Sequence, residues 1–318
     1  MWFETLTGFA EESPEQVRKN IIADGGELVS RVNGRRLVCG ELETVSLAEL
    51  RRRARSCEPS AGKTTVREIV ADVQELHKDQ GNANALFQVA SQFNLLEMVS
   101  PSLTPEHGVG IYELDRTQGP ACAIAAGAGT IYRNYYAIVN GQVGQSANNQ
   151  IDCLADIGSA LGNSRNQLWE MINGYALASY EGLIGITKRL RESTEKEVDA
   201  LRKKLRIGIQ WNTQVTLNDC LHLVSQAYCS ALPVAYSRHS SQLWEDFARL
   251  VLEAAYEATL CAAILNAERN GSNRVFITLL GGGAFGNKTD WIIGGIRRAL
   301  KLYGDIDLDV AIVNYGCS

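Results

Sequence analysis

The stretch TTVREIVADVQELHKDQGNANALFQVAS, residues 64–91, decides how the chain reads. Thr64 to Val70 is rich in β-branched residues and predicts a strand, with Asp72 at its end. VQELHKD predicts a short helix, and Ala85 to Ser91 is a mostly apolar run of strand length. Strand, helix, strand in that order predicts a parallel or mixed sheet, because parallel neighbours need a crossover connection between them.

Working outward from this unit gives the rest of the architecture. On the N-terminal side, Glu27 to Val32 and Arg35 to Glu41 alternate polar and apolar residues across Asn33-Gly34, a strong hairpin signal. Ser46 opens the helix SLAELRRRARS, with Glu49 in the capping-box position. The run Arg51-Arg52-Arg53 reads as a solvated face near a helix C-terminus, in preference to a nucleic-acid patch. On the C-terminal side, a polar break at 100–107 leads to a shorter strand, the loop Asp115 to Pro120 and the small-residue helix ACAIAAGAGTIYRNYY. Residues 163–204 read as helical, and IGIQW reads as a strand followed by a loop from Asn212 to Asn218. Asp219 then opens a helix, DCLHLVSQAYCSAL, closed by Pro233. Trp244 to Asn266 is a long helix, Arg274 to Leu280 a strand and Gly281 to Asn287 a glycine-rich loop. Asp290 to Leu302 is a helix, and Leu308 to Val313 the last strand. The sum is an α/β chain with a mixed central sheet. Residues 1–60 form a β-rich extension packed on a core at 61–318, which carries a helical insert near 160–205.

Composition narrows the function classes. The chain has 318 residues, 45% hydrophobic and 21% charged, which excludes a wholly disordered protein. A net charge of -5 argues against a domain-wide nucleic-acid footprint. No run of 18 apolar residues suggests a membrane span, and Met1-Trp2-Phe3-Glu4 lacks the basic and apolar regions of a signal peptide. The expectation is a cytoplasmic protein with neither nucleic-acid nor membrane partners. Eight cysteines and four histidines are scattered without a CxxC pair, and Cys220 and His222 fall on different sides of the expected helix. They read as reduced cysteines in apolar roles, with no metal and no cofactor expected.

Four loops could carry chemistry. Gly281-Gly282-Gly283-Ala284-Phe285-Gly286-Asn287 lies between a strand and a helix, where backbone N–H groups bind phosphate. It fits G-x-G-x-x-G, but a Rossmann fingerprint opens a domain, and here only one helix and one strand follow. Gly62-Lys63-Thr64 resembles the tail of a P-loop, but Cys57 stands where that motif needs glycine, and a strand follows instead of a helix. Thr117-Gln118-Gly119-Pro120 opens a helix whose free N–H groups could face an anion, so two helix starts could bracket one diphosphate. Ser91-Gln92-Phe93-Asn94 ends a strand on the side where ligands sit in open α/β sheets, and amides there can fix ribose hydroxyls.

These pieces, in this order, resemble a macrodomain, the ADP-ribose-binding α/β/α fold. Val70-Ala71-Asp72-Val73 resembles the family's Gly-Asp-Ile-Thr segment, with Ala71 in place of glycine; the resemblance implies that Asp72 receives the adenine amino group. Phe87 to Leu96 resembles the Val-Asn-Ala-Ala-Asn strand end that meets the distal ribose, which brings in Ser91, Gln92 and Asn94. Leu279 to Gly286 resembles the second phosphate loop, with Phe285 covering the distal ribose. The strings QVASQFNLLEM, DRTQGPACA and LGGGAFGN are most similar to the MavL-type branch, whose members remove ADP-ribose from arginine side chains. The resemblance spans roughly residues 64–316 and implies a macrodomain-like three-layer fold, with ADP-ribose and an ADP-ribosylated protein as ligands.

Cleaving that linkage passes through an oxocarbenium-like state that a carboxylate can stabilise while activating water. Asp219, Glu97, Asp115 and Asp290 are the candidate acids. Asp219 is equally suited to cap a helix, and Asp290 to complement a helix dipole; Glu97 and Asp115 could be ordinary surface acids. Asn212-Thr213-Gln214 sits in a strand-end loop where an arginine-specific hydrolase is expected to place acids. Two readings therefore stand: an ADP-ribosyl hydrolase, or a reader that binds ADP-ribose without turnover.

Overall fold

A computed structural model of the chain describes residues 1–57 and 62–314. Cys317 and the boundary expected at 60–61 lie outside the described residues. Helices α1 (Trp2–Thr7) and α2 (Pro14–Asn20) precede three short strands, β1 (Ile21–Asp24), β2 (Glu27–Ser30) and β3 (Arg36–Val38). These strands form a small antiparallel sheet, with Leu28 opposite Leu37 across the Asn33-Gly34 turn. Next come β4 (Glu41–Ser46), α3 (Leu47–Ser56), β5 (Thr65–Val70), α4 (Val73–Lys78) and β6 (Leu86–Ala90). Helices α5 (Gln118–Ala125) and α6 (Gly127–Tyr135) follow, then the paired two-residue strands β7 (Ile138–Val139) and β8 (Gln142–Val143). The insert holds α7 (Ala155–Leu161), β9 (Trp169–Ile172), β10 (Tyr175–Ala178), α8 (Tyr180–Glu192) and α9 (Glu195–Arg202). The last third is β11 (Arg206–Gln214), β12 (Leu223–Cys229), α10 (Ser241–Asn270), β13 (Arg274–Thr278), α11 (Thr289–Tyr303) and β14 (Asp309–Asn314).

The central sheet has seven strands in the order β4-β11-β12-β6-β13-β14-β5. Neighbours from β12 to β5 are parallel, and β11 runs against both of its neighbours. The pleat of β6 shows the layering, because successive side chains leave opposite faces. Phe87 stacks on His77 of α4, with ring centroids 3.8 Å apart, while Gln88 donates to Thr259 of α10 at 2.8 Å. The result is the mixed-sheet α/β/α sandwich expected, with α4 to α6 on one face and α10, flanked by α3, α8 and α11, on the other. β6 is buried through nearly its whole length, as a strand covered on both faces must be.

Several expectations are corrected. The extension is joined to the core more closely than by packing: β4 pairs along its whole length with β11, from Ser46–Arg206 to Glu41–Trp211. Residues 163–204 are not uniformly helical. Asn173-Gly174 turns an antiparallel hairpin between β9 and β10, with Tyr175 opposite Ile172. The helix expected from Asp219 is β12, an inner strand. Leu221, Val224, Tyr228 and Leu232 have helical spacing, and the polar Ser225 and Gln226 hid the strand; both are buried and satisfied inside. No strand forms between 100 and 115, where two 3-10 turns stand instead. The arginine run is split by environment. Arg52 is exposed on Glu49, while Arg51 is part-buried between Asp199 at 2.8 Å and Glu257 at 2.5 Å. α10 is long and apolar enough to cross a membrane by length and composition, yet 83% of its most apolar window is buried within the fold.

Candidate functional site

The parallel strands β5, β6, β13 and β14 end on one side of the sheet, and a cleft opens there. A cavity of about 600 Å³ is walled by Ala71, Asp72 and Val73 beyond β5, Val313 of β14 and Ile124 of α5. A second, of about 220 Å³, lies between Ala90 to Gln92 beyond β6 and the segment Leu279 to Phe285. Asp115, Thr117, Gln118 and Thr278 line both, so the two cavities are lobes of one cleft. The N-terminus of α5 stands at the junction, where first-turn N–H groups lack helical partners and favour negative charge.

Local packing explains these positions. A Cβ on Gly119 would lie 1.9 Å from the Ala90 carbonyl oxygen, so only glycine lets α5 approach the end of β6. Gln118 fastens the same contact, accepting from the Ala90 N–H at 2.9 Å and donating to the Gln88 carbonyl at 2.8 Å. In the glycine-rich loop, Gly281 has φ +73°, and a Cβ there would meet Ala231 at 2.4 Å. Asn287 closes this loop, with its N–H on the Gly281 carbonyl and its side-chain amide on the Leu232 carbonyl. Gly283 has nothing within 4 Å of a would-be Cβ, so its position opens onto the cleft.

The floor of the smaller lobe is charged and buried. Glu97 accepts from Arg133 on both carboxylate oxygens at 3.1 Å, and neither side chain is more than 1% exposed. Arg133 also donates to the Leu95 carbonyl at 3.0 Å and to the Tyr228 hydroxyl, and stacks 3.7 Å above the Tyr228 ring. Leu95 carries φ +66°, a conformation costly for a bulky residue. That kink lies five residues beyond the end of β6 and two before Glu97. Burial pushes the Glu97 carboxyl up to about 7, against the pull of Arg133. Asp115 lies differently. One of its oxygens accepts from the Thr117 N–H at 2.9 Å, and no bond from the described residues occupies the other.

The cleft gathers most of the expected ligand residues and only some of the expected acids. Asp72 lines the larger lobe and caps α4 through Gln74 N–H at 2.7 Å. Ser91, Gln92, Gly119, Gly281, Gly283, Ala284 and Phe285 line the smaller lobe, together with Glu97. Thr117, Gln118 and Asp115 line both. Asn94 is not on the cleft wall; it is buried, with its side chain on Leu96 N–H and Gln150. Gly282, Gly286 and Asn287 shape the loop without lining the cavity. Asn212 sits on β11 at a bulge, in a different depression beside Gly26 and Gly40. Asp219 does not open a helix; its side chain is 89% exposed and paired with Arg35. Asp290, 63% exposed, pairs with Arg249 outside the cleft. Both are surface ion pairs of the ordinary kind. Among the described residues, no group of three or more His, Cys, Asp or Glu is placed to hold a metal.

Sequence reasoning placed Phe285 here but missed the two tyrosines, Tyr175 and Tyr236, that complete an aromatic wall with it. Tyr175, Tyr236 and Phe285 meet with centroids 5.1 to 5.6 Å apart and line the smaller lobe. Asn173-Gly174 in an alternating stretch was an available signal for the hairpin that carries Tyr175. Trp2 and Glu113, which line the larger lobe, had no local signal.

No protein-family model matches the chain, and no curated protein matches it in sequence. Among solved structures, it is similar to poly(ADP-ribose) glycohydrolase from Deinococcus radiodurans in complex with ADP-ribose. The identity is 11% and the TM-score 0.43, over 86% of each chain. It is also similar to poly(ADP-ribose) glycohydrolase from Thermomonospora curvata bound to the inhibitor ADP-HPD. There the identity is 12% and the TM-score 0.44, over 95% of this chain and 91% of that one.

Proposed function

We propose that this protein is an ADP-ribosyl hydrolase that removes ADP-ribose from modified protein side chains, with arginine as the linkage. The observation that carries the reading is the two-lobed cleft with a helix N-terminus at its waist. A dinucleotide-like ligand has that layout: an aromatic base, an anionic diphosphate and a sugar. The larger lobe is mainly apolar, with the Asp72 carboxylate to accept from an adenine amino group. The free N–H groups of α5 face the waist, where diphosphate belongs. The smaller lobe takes the distal ribose between Gly283 and Phe285 on one side and Ser91 and Gln92 on the other.

Asp115 is the acid we assign to catalysis. It lines both lobes at the waist, and among the described residues nothing bonds its second oxygen. From there it takes a proton from water as the water oxygen bonds to the anomeric carbon; the carbon–nitrogen bond breaks, and the proton ends on the departing guanidine. Its charge also stabilises the oxocarbenium-like state. Glu97 has both oxygens engaged by Arg133 and acts as a positioning residue beneath the sugar. The aromatic wall and the Asp115 carboxylate suit a guanidinium leaving group. The reader without turnover was motivated by Asn212, which stands outside the cleft.

The test is release of free ADP-ribose from an arginine-ADP-ribosylated protein, beside serine- and glutamate-linked substrates. Asp115→Asn is expected to lower turnover about 10²- to 10⁴-fold, while calorimetry shows ADP-ribose affinity within a few-fold. Binding without release from any linkage would establish the reader instead.

A further inference from the structure

Resting on the reading above, we infer that Arg116 is the residue that lets this cleft hold the adenosine-side phosphate, and so separates nucleotides from nucleosides. The observation behind it is a balance of charge. Three carboxylates, Asp72, Glu113 and Asp115, wall the larger lobe. In the smaller lobe, the charge of Glu97 is answered by Arg133 beneath it. Arg116 is the one basic side chain that lines either lobe among the described residues. A lobe walled by three acids repels a phosphate unless a cation offsets them.

The Arg116 guanidinium is available for that task. Each carboxylate of the larger lobe accepts from a backbone N–H: Asp72 from Gln74 at 2.7 Å, Glu113 from Trp2 at 3.0 Å and Asp115 from Thr117 at 2.9 Å. Arg116 itself is exposed, and among the described residues it pairs with none of them. Its charge is therefore free for a ligand. The backbone alone offers less. Pro120 fills the third position of α5 and has no N–H, so the open donors of that turn are those of Gln118 and Gly119. Amide dipoles carry partial charge, whereas a guanidinium brings a full charge and a planar fork that matches phosphate oxygens. Arg116 directly precedes Thr117, the N-cap of α5, and lines the larger lobe but not the smaller. It is thus placed for the phosphate next to adenosine, on the base side of the waist.

Calorimetry on the full chain with adenosine, adenosine monophosphate and ADP-ribose tests this. The unmodified protein is expected to bind the monophosphate more tightly than adenosine, with an advantage that shrinks as sodium chloride rises from about 50 to about 500 mM. Arg116→Gln should weaken adenosine monophosphate and ADP-ribose roughly ten- to a hundredfold. It should leave adenosine unchanged and abolish most of the salt dependence. Arg116→Lys keeps the charge without the fork and should recover part of the loss. Because the side chain is exposed, the melting temperature should hold in both variants. ADP-ribose binding that is undiminished in Arg116→Gln, or diminished equally for adenosine, overturns the inference alone. So does a monophosphate that binds no better than adenosine. No binding of ADP-ribose by the unmodified protein overturns the proposed function and this inference with it.

Discussion

The larger lobe of the cleft carries its charge on an exposed carboxylate, Asp72, whereas the smaller lobe stands on a buried ion pair. Asp72 is exposed and, among the described residues, held only by its cap on the Gln74 N–H. Glu97 and Arg133, by contrast, are fully buried and tied to Leu95 and Tyr228 in one network. On the proposed function, the difference follows from a base in the larger lobe and a reacting sugar in the smaller one. Recognition of a base needs a shaped surface that can vary without cost to stability. Chemistry at a sugar needs groups whose positions cannot drift, and a buried ion pair supplies that rigidity at the expense of desolvation.

The sharpest way to break this contrast is Arg133→Met. It leaves the buried Glu97 carboxyl without its charged partner, and unfolding in urea should show a loss of about 3–5 kcal/mol. A loss below 1 kcal/mol, comparable to a surface pair, would mean that the smaller lobe is not built on this pair. Gly283→Trp comes next. The position opens onto the cleft, so the indole should fill the smaller lobe without straining the loop. ADP-ribose affinity should fall roughly a hundredfold or more, about 2.7 kcal/mol, with the melting temperature almost unchanged. Unchanged affinity in calorimetry would remove the distal sugar from this lobe.

The smallest effect per step is in pH. Burial raises the Glu97 carboxyl from 4.5 to about 7, so between those values the folded protein holds a proton that the unfolded chain releases. The folded form therefore binds more protons, and its stability falls as pH rises through that window. Glu97→Gln removes this contribution. The unfolding free energy of the variant relative to the unmodified protein should rise by about 1.4 kcal/mol per pH unit across the window. A difference flat with pH would show that Glu97 is already ionised throughout.

Legibility in the sequence followed the range of the interactions. The strands at 64–70 and 85–91, the hairpin at Asn33-Gly34 and the helix cap at Ser46 all depend on neighbours a few residues away, and all are present. The insert and β12 were misread because local pattern competes with tertiary demand. β12 carries apolar residues at helical spacing, and its polar residues look exposed until their buried partners are known. The site shows the same division. The loops at 91, 117 and 281 converge because they end neighbouring strands or meet those ends. Asp219 and Asp290 matched the chemistry in residue type alone.

By itself the sequence determined the α/β class, the run of short-range turns and caps, and the three loops that line the cleft, since these are set by side-chain period and backbone preference. The tertiary structure alone decided which acid stands at the waist, that β4 joins the central sheet, and that Trp2 and Asp72 line one cavity. Those outcomes depend on contacts between distant segments, and a close approach such as Gly119 against Ala90 leaves no periodicity in the chain to be read.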